Sequence, residues 1–140
     1  MKNKETQHKK VQEMIDCYAT SDPLKEMSKI QKENDISEAA VKWIALAGLH
    51  GINMNASEIK IKKSSDGKVK VVAKYRPAEL PSPGTAAGNL IIQGLRDITY
   101  LDENNGESML SLGIRDGSVD IKVTVRKDYN GEEAVLIFPS

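Results

Sequence analysis

Residues 38 to 49 constrain this chain more than any other stretch. Glu38, Ala39, Ala40, Val41, Lys42, Trp43, Ile44, Ala45, Leu46, Ala47, Gly48 and Leu49 follow one another, and Lys42 is the only charge after Glu38. A helix that is apolar on every side has to be covered on most of them. The run is shorter than the roughly 20 residues a membrane span requires, so it reads as a core helix. It holds the only tryptophan, Trp43. Ser37 is the expected N-cap, and the helix is expected to fade through Gly48 and Gly51, near Asn53 and Asn55. His50, close to its end, reads as a cap or a half-buried residue rather than a base.

The next residues change period. Ala56, Ser57, Glu58, Ile59, Lys60 and Ile61 alternate as a strand does. Asp66-Gly67 is a hairpin turn signal, and Val69, Val71, Ala73 and Tyr75 alternate with Lys68, Lys70 and Lys74 on the return strand. The residues from Pro77 through Pro81 and Pro83 to Gly84 read as a stiff loop. Thr85 is the expected cap of a second helix carrying Ala86, Ala87, Leu90, Ile91, Leu95 and Ile98, ending near Leu101. Asp102 and Glu103 then read as turn chemistry. Three strands close the chain, separated by turns at Asp116-Gly117 and Asn130-Gly131. Val119, Ile121, Val123 and Val125 alternate strictly with Asp120, Lys122, Thr124 and Arg126. The order is helices, hairpin, helix, three strands. Tight turns require mostly antiparallel pairing, so the fold class is α+β with both helices packed on one sheet face. Trp43, Ile44, Leu90, Ile91, Leu95, Ile121 and Val123 are the expected core.

Residues 1–35 form an N-terminal amphipathic helical segment, and residues 36–140 a single α+β domain. Val11, Met14, Ile15 and Tyr18 make one apolar stripe, and Leu24, Met27 and Ile30 a shorter one after Asp22 as N-cap and Pro23 at the first helical position. Both stripes are narrow, so these helices either pack on the edge of the domain or bind a partner, and removal of residues 1–33 is expected to leave a folded domain.

Chemistry is sparse. No phosphate-binding glycine loop or dinucleotide fingerprint occurs. His8 and His50 are the only histidines, and neither has metal-ligand spacing to the single cysteine, Cys17. No catalytic, metal or cofactor set can be assembled. Twenty basic and twenty acidic residues leave a net charge of zero, which gives nucleic acid and membrane surfaces no electrostatic purchase. The lone cysteine and a polar start without an apolar signal segment point to the cytoplasm.

Several short motifs together resemble the N-terminal domain of the secretion ATPases that drive type II secretion and type IV pilus assembly. Ala56-Ser57-Glu58-Ile59-Lys60-Ile61 after an apolar helix is similar to that family's Ala-Ser-Asp-Ile-His-Ile run. Tyr75-Arg76 matches its aromatic-arginine pair. Leu90-Ile91-Ile92 to Leu101-Asp102 resembles its second helix, and Asn105-Gly106 stands at its Asp-Gly turn. Val119-Asp120-Ile121-Lys122-Val123 resembles its Val-Asp-Leu-Arg-Val strand, and Gly131-Glu132 with Ala134-Val135-Leu136 its closing turn and strand. Lys60 replaces a histidine, Lys122 and Ile137 stand where arginines are usual, and Pro77-Ala78-Glu79 departs from the pattern. The ATPase domain would begin where this sequence ends, at Ser140, so the chain is expected to be either an excised domain or a free-standing relative without the motor.

The resemblance implies a PAS-like domain that is non-catalytic and serves assembly or regulation. Its implied partner is a protein, either an ATPase domain or a neighbouring subunit, in an arrangement that allows oligomers. Arg76 is the best-matching arginine, and Arg76, Arg96 and Lys122 are the implied interface or nucleotide-proximal residues. Lys122 keeps the charge but not the planar fork that grips phosphate. The alternative for Arg76 is an internal ion pair with Glu79 or Asp97. Two other functional readings remain: a PAS-like sensor of small ligands, and an unrelated enzyme built on Arg76, Arg96 and Asp97.

Overall fold

The computed structural model describes residues 4–74, 77–80, 82–99, 105–114 and 117–139. Tyr75, Arg76, Pro81, Asp102, Glu103 and Asp116 lie outside them. Four helices and a six-stranded sheet follow in the order α1 (Lys4–Tyr18), α2 (Pro23–Met27), α3 (Ile36–Asn53), β1 (Glu58–Ser64), β2 (Val69–Lys74), β3 (Pro77–Leu80), α4 (Thr85–Thr99), β4 (Gly106–Ile114), β5 (Gly117–Asp128) and β6 (Gly131–Ile137). A short 3-10 turn over Ile30–Lys32 joins α2 to α3. Every strand pairing is antiparallel, in the spatial order β3-β2-β1-β6-β5-β4. The first and last strands of the hairpin-helix-meander thus meet at the centre, with β1 beside β6. Among the described residues, no helix is long and apolar enough to cross a membrane.

The period-2 pattern places one row of side chains on the helix side. Ile59, Ile61, Val71, Ala73, Ile121, Val123, Val125, Ala134 and Leu136 are all at most 2% exposed. They meet α3 and α4 in one continuous cluster with Trp43, Ile44, Ile91 and Leu95. The α+β class, the antiparallel sheet and the one-sided helix layer read from the sequence are the fold observed.

α3 is longer than expected and is buried from Ala39 through Gly51. Its N-cap is Asp35, whose carboxylate accepts from the Glu38 N–H at 3.1 Å, so Ser37 is not the cap. The helix passes through Gly48 and Gly51, and packing calls for glycine at the second of them. A Cβ on Gly51 would collide with the Phe138 ring, so glycine lets the closing strand's aromatic lie against the helix. The helix ends where Asn55 turns left-handed at φ 55° and the Ala56 N–H donates to the Gly51 carbonyl at 2.8 Å. Asparagine tolerates that conformation better than most side chains.

Three further expectations change. Leu90 is 38% exposed rather than core, because α4 turns Ala87, Ile91, Ile92 and Leu95 inward and leaves Leu90 on its rim. Thr85 does not cap its helix by side chain; its hydroxyl donates to the Gly67 carbonyl and ties α4 to the β1–β2 turn. The segment read as a stiff loop contains β3, which pairs with β2 from Lys74↔Pro77 to Val71↔Leu80. Proline is accommodated there because Pro77 is the first residue of an edge strand.

The N-terminal segment packs rather than standing apart. Val11, Ile15, Met27 and Ile30 are 0–1% exposed and belong to the same cluster as Trp43. Asp22 caps α2, accepting from the N–H groups of Leu24 and Lys25, with Pro23 at the first helical position. α1 also reaches the sheet edge. The Gln12 carboxamide donates to the Gly113 carbonyl at 2.8 Å and accepts from the Gly113 N–H at 2.7 Å. One helical turn earlier, the His8 ring Nε2 donates to the Ser111 carbonyl at 2.5 Å.

Candidate protein-interaction face

The sheet has one face under helices and one face without them. The same alternation that buries Ile121 and Val123 turns Lys122 and Thr124 to the uncovered side. Strand register sets that side out in rows. Val72, Lys60, Val135, Thr124 and Glu107 stand side by side across five strands. The adjacent row is Lys74, Glu58, Ile137, Lys122 and Met109. Val135 is only 7% exposed, flanked by Lys60 and Thr124, whereas Met109 is 50% exposed. Long charged side chains cover apolar strand positions with their stems while their heads stay in water.

Ion pairs lace this face. Lys122 Nζ lies 3.5 Å from Glu107, Lys74 Nζ 3.8 Å from Glu58, and Lys60 Nζ 3.9 Å from Glu133. The Asp120 carboxylate accepts from Ser111 Oγ at 2.6 Å. Each pair is solvent-exposed, so each contributes at most about 1 kcal/mol to stability. Their physical consequence is surface character: exposed and half-covered apolar positions interleaved with paired charges.

Of the residues singled out from sequence, Lys122 lies on this face. Arg96 does not. It projects from α4 into the helix-side layer, is 8% exposed, and its Nε lies 3.2 Å from the Glu132 carboxylate. The sheet separates the two cations, so they do not act on one surface. Arg76 lies outside the described residues. Asp97, the other residue of the enzyme reading, accepts from Gln93 Nε2 at 2.9 Å, one helical turn away on α4. It borders a shallow groove between α3 and α4 lined by Ser37, Ala40, Val41, Leu90 and Gly94. The groove holds about 50 Å³, room for water but well below the roughly 300 Å³ at which small-molecule pockets begin.

Two titratable groups on the helix side have displaced pKa values, Lys42 and His50. Burial pulls the Lys42 ammonium toward neutrality. Its 2.8 Å hydrogen bond to Glu33 and its contact with Tyr18 outweigh that, and its pKa is raised. The ammonium also stands 5.0 Å from the Tyr18 ring centroid, a cation–π distance. This explains the one charge inside an otherwise apolar run: it pins α1 and the α2–α3 connection to α3. No sequence signal identified the partners, because Glu33 and Tyr18 are distant in period and chain. Burial holds the His50 pKa below the ordinary histidine value, with the Asp22 charge opposing it. Among the described residues, no three His, Cys, Asp or Glu side chains converge as metal ligands would.

The chain matches no protein-family model and no curated protein.

Proposed function

We propose that this chain is a non-catalytic assembly domain that makes domain or subunit contacts, as the N-terminal domains of secretion and type IV pilus ATPases do. The observation that carries the reading is the uncovered sheet face. It interleaves exposed Met109 and half-covered Ile137 and Val72 with paired charges, and Lys122 stands between Ile137 and Met109. An all-antiparallel sheet accepts water on one side, but it needs no such apolar positions there. The ordered motif resemblance supplies the class of partner: an ATPase domain or a neighbouring subunit. Lys122 stands where that family usually has arginine, and it serves here as a surface cation that pairs with a partner carboxylate. Chemistry is left to the partner, since positioning phosphates and metal needs the phosphate loop and acidic metal-binding motif of the ATPase domain, neither of which occurs in this sequence.

The test is a binding titration of the purified chain against the ATPase domain of a type II secretion or pilus ATPase. Binding is expected, and Lys122→Glu with Met109→Lys should weaken it at least tenfold while leaving the circular dichroism spectrum unchanged. The purified chain alone should hydrolyse no ATP. Failure to bind, binding indifferent to the double variant, or turnover that survives repurification would each overturn the reading.

A further inference from the structure

β4 is an edge of the sheet and runs for nine residues. Edge strands present a row of backbone donors and acceptors to any other chain, and native proteins guard them. On β4, alternate residues turn these groups outward, and Gly113 and Ser111 are two of them. The Gln12 carboxamide meets both groups of Gly113 at once. A carboxamide carries a donor and an acceptor in one plane, as a peptide group does, so Gln12 occupies the place of a neighbouring strand's backbone. His8 takes the Ser111 carbonyl. The match is geometric: four residues of helix rise about 6 Å, and two residues of strand span about 6.7 Å.

By the same alternation Glu107 and Met109 turn their backbones outward, and among the described residues no side chain caps them in this way. α1 is anchored to the core by fully buried Val11 and Ile15, while the His8 and Gln12 side chains are only half-buried. The clamping residues are therefore separable from the residues that hold α1 in the core.

We propose that α1 is a guard that holds off pairing of β4 with the β4 of a second copy of this chain. The occupant follows from the strand's own pattern. A strand extending this sheet must be apolar toward the helices and polar on the other side. β4 has that pattern but for Met109, with Leu110, Leu112 and Ile114 buried and Glu107 and Ser111 on the uncovered side. Antiparallel pairing about a two-fold axis normal to the sheet keeps like faces together and makes the contact self-complementary. With the axis at Leu110 the whole of β4 pairs with its copy: Met109 stands opposite Ser111 and Glu107 opposite Gly113, which brings both clamped residues into the pairing and avoids like charges directly opposed. The inference stands independently of the uncovered-face reading, because it concerns the edge.

The experiment compares the full chain with the His8→Ala/Gln12→Ala variant by sedimentation equilibrium over a concentration series. The variant should self-associate at least tenfold more tightly than the parent, and its Gly113 amide should exchange at least tenfold faster at dilution. Adding Met109→Pro should erase the gain, since proline removes an outward N–H without breaking a bond to β5. Should the double variant fail to fold, Gln12→Glu replaces it. That side chain still accepts from the Gly113 N–H but opposes the Gly113 carbonyl with a carboxylate, and it should shift association the same way. A folded variant that associates no more than the parent shows that the clamp only anchors α1 and overturns the proposal. A gain that survives Met109→Pro overturns it as well.

Discussion

The two faces of the sheet carry nearly the same alternation but opposite energetics. On the helix side, the central residues of β1, β5 and β6 are buried in one cluster with α3 and α4, and Arg96 of α4 pairs there with Glu132 of β6. On the other side the same strands hold Lys60, Lys122 and Glu133 in ion pairs that water screens. Cations on the two faces are chemically alike and mechanically different. The helix face sets stability; the uncovered face contributes little to it. Perturbations should fall steeply from one face to the other.

The largest effect is expected at the N-terminus. Removing residues 1–33 strips Val11, Ile15, Met27 and Ile30 from the shared core, along with Glu33 from Lys42. The truncated chain should lose cooperative thermal unfolding. This reverses the expectation drawn from narrow stripes alone, and a sharp transition near the parent's would restore it. Next comes Leu95→Ala, at a position with no exposure, which should cost about 2–5 kcal/mol in urea unfolding. Arg96→Ala follows. It leaves the 20%-exposed Glu132 side chain without this partner, and the loss should reach about 3 kcal/mol, the low end for breaking a buried pair.

His50 gives a smaller, pH-dependent effect on the same face. Its folded pKa lies below the unfolded value, so the unfolded chain binds the proton more readily. Stability should decline as pH falls below about 6.5, the unfolded value, and level off below the folded pKa. Thermal melts of His50→Gln between pH 7 and 5 should show a shallower slope than the parent; an equal slope would assign the acid sensitivity to another group. Smallest is Lys122→Ala on the uncovered face, where loss of the exposed pair with Glu107 should cost less than about 1 kcal/mol. If Lys122→Ala and Arg96→Ala prove equally costly, the contrast between the faces is wrong.

Local pattern carried much of this fold into view. The apolar run around Trp43, the strict alternation from Val119 to Arg126 and the Asp66-Gly67 turn each rest on neighbours within a few residues, so composition and period suffice. At that turn Ser64 and the Lys68 N–H both donate to the Asp66 carboxylate, which holds its pKa below the ordinary aspartate value. Gly67 supplies the positive φ of 89°. What period could not convey was which neighbour each face would meet. Leu90 carries the helical signal of a core residue, yet α4's rotation leaves it on the groove rim. The α1 stripe looked too narrow to belong to a core because one helix face was weighed without α3 against it.

The candidate site divides the same way. That Lys122 faces away from Val123 is a property of strand geometry and was settled by sequence. That Arg96 stands across the sheet from it, paired with Glu132 thirty-six residues away, was decided by how α4 lies on β6. So was the seat of Lys42 between Glu33 and Tyr18, and the reach of His8 and Gln12 to a strand about a hundred residues on. Secondary structure and burial side come from interactions between near neighbours, which a sequence displays directly. Partnerships between distant residues depend on the docking of whole elements, a choice made by the sum of many weak contacts that no short stretch of this chain contains.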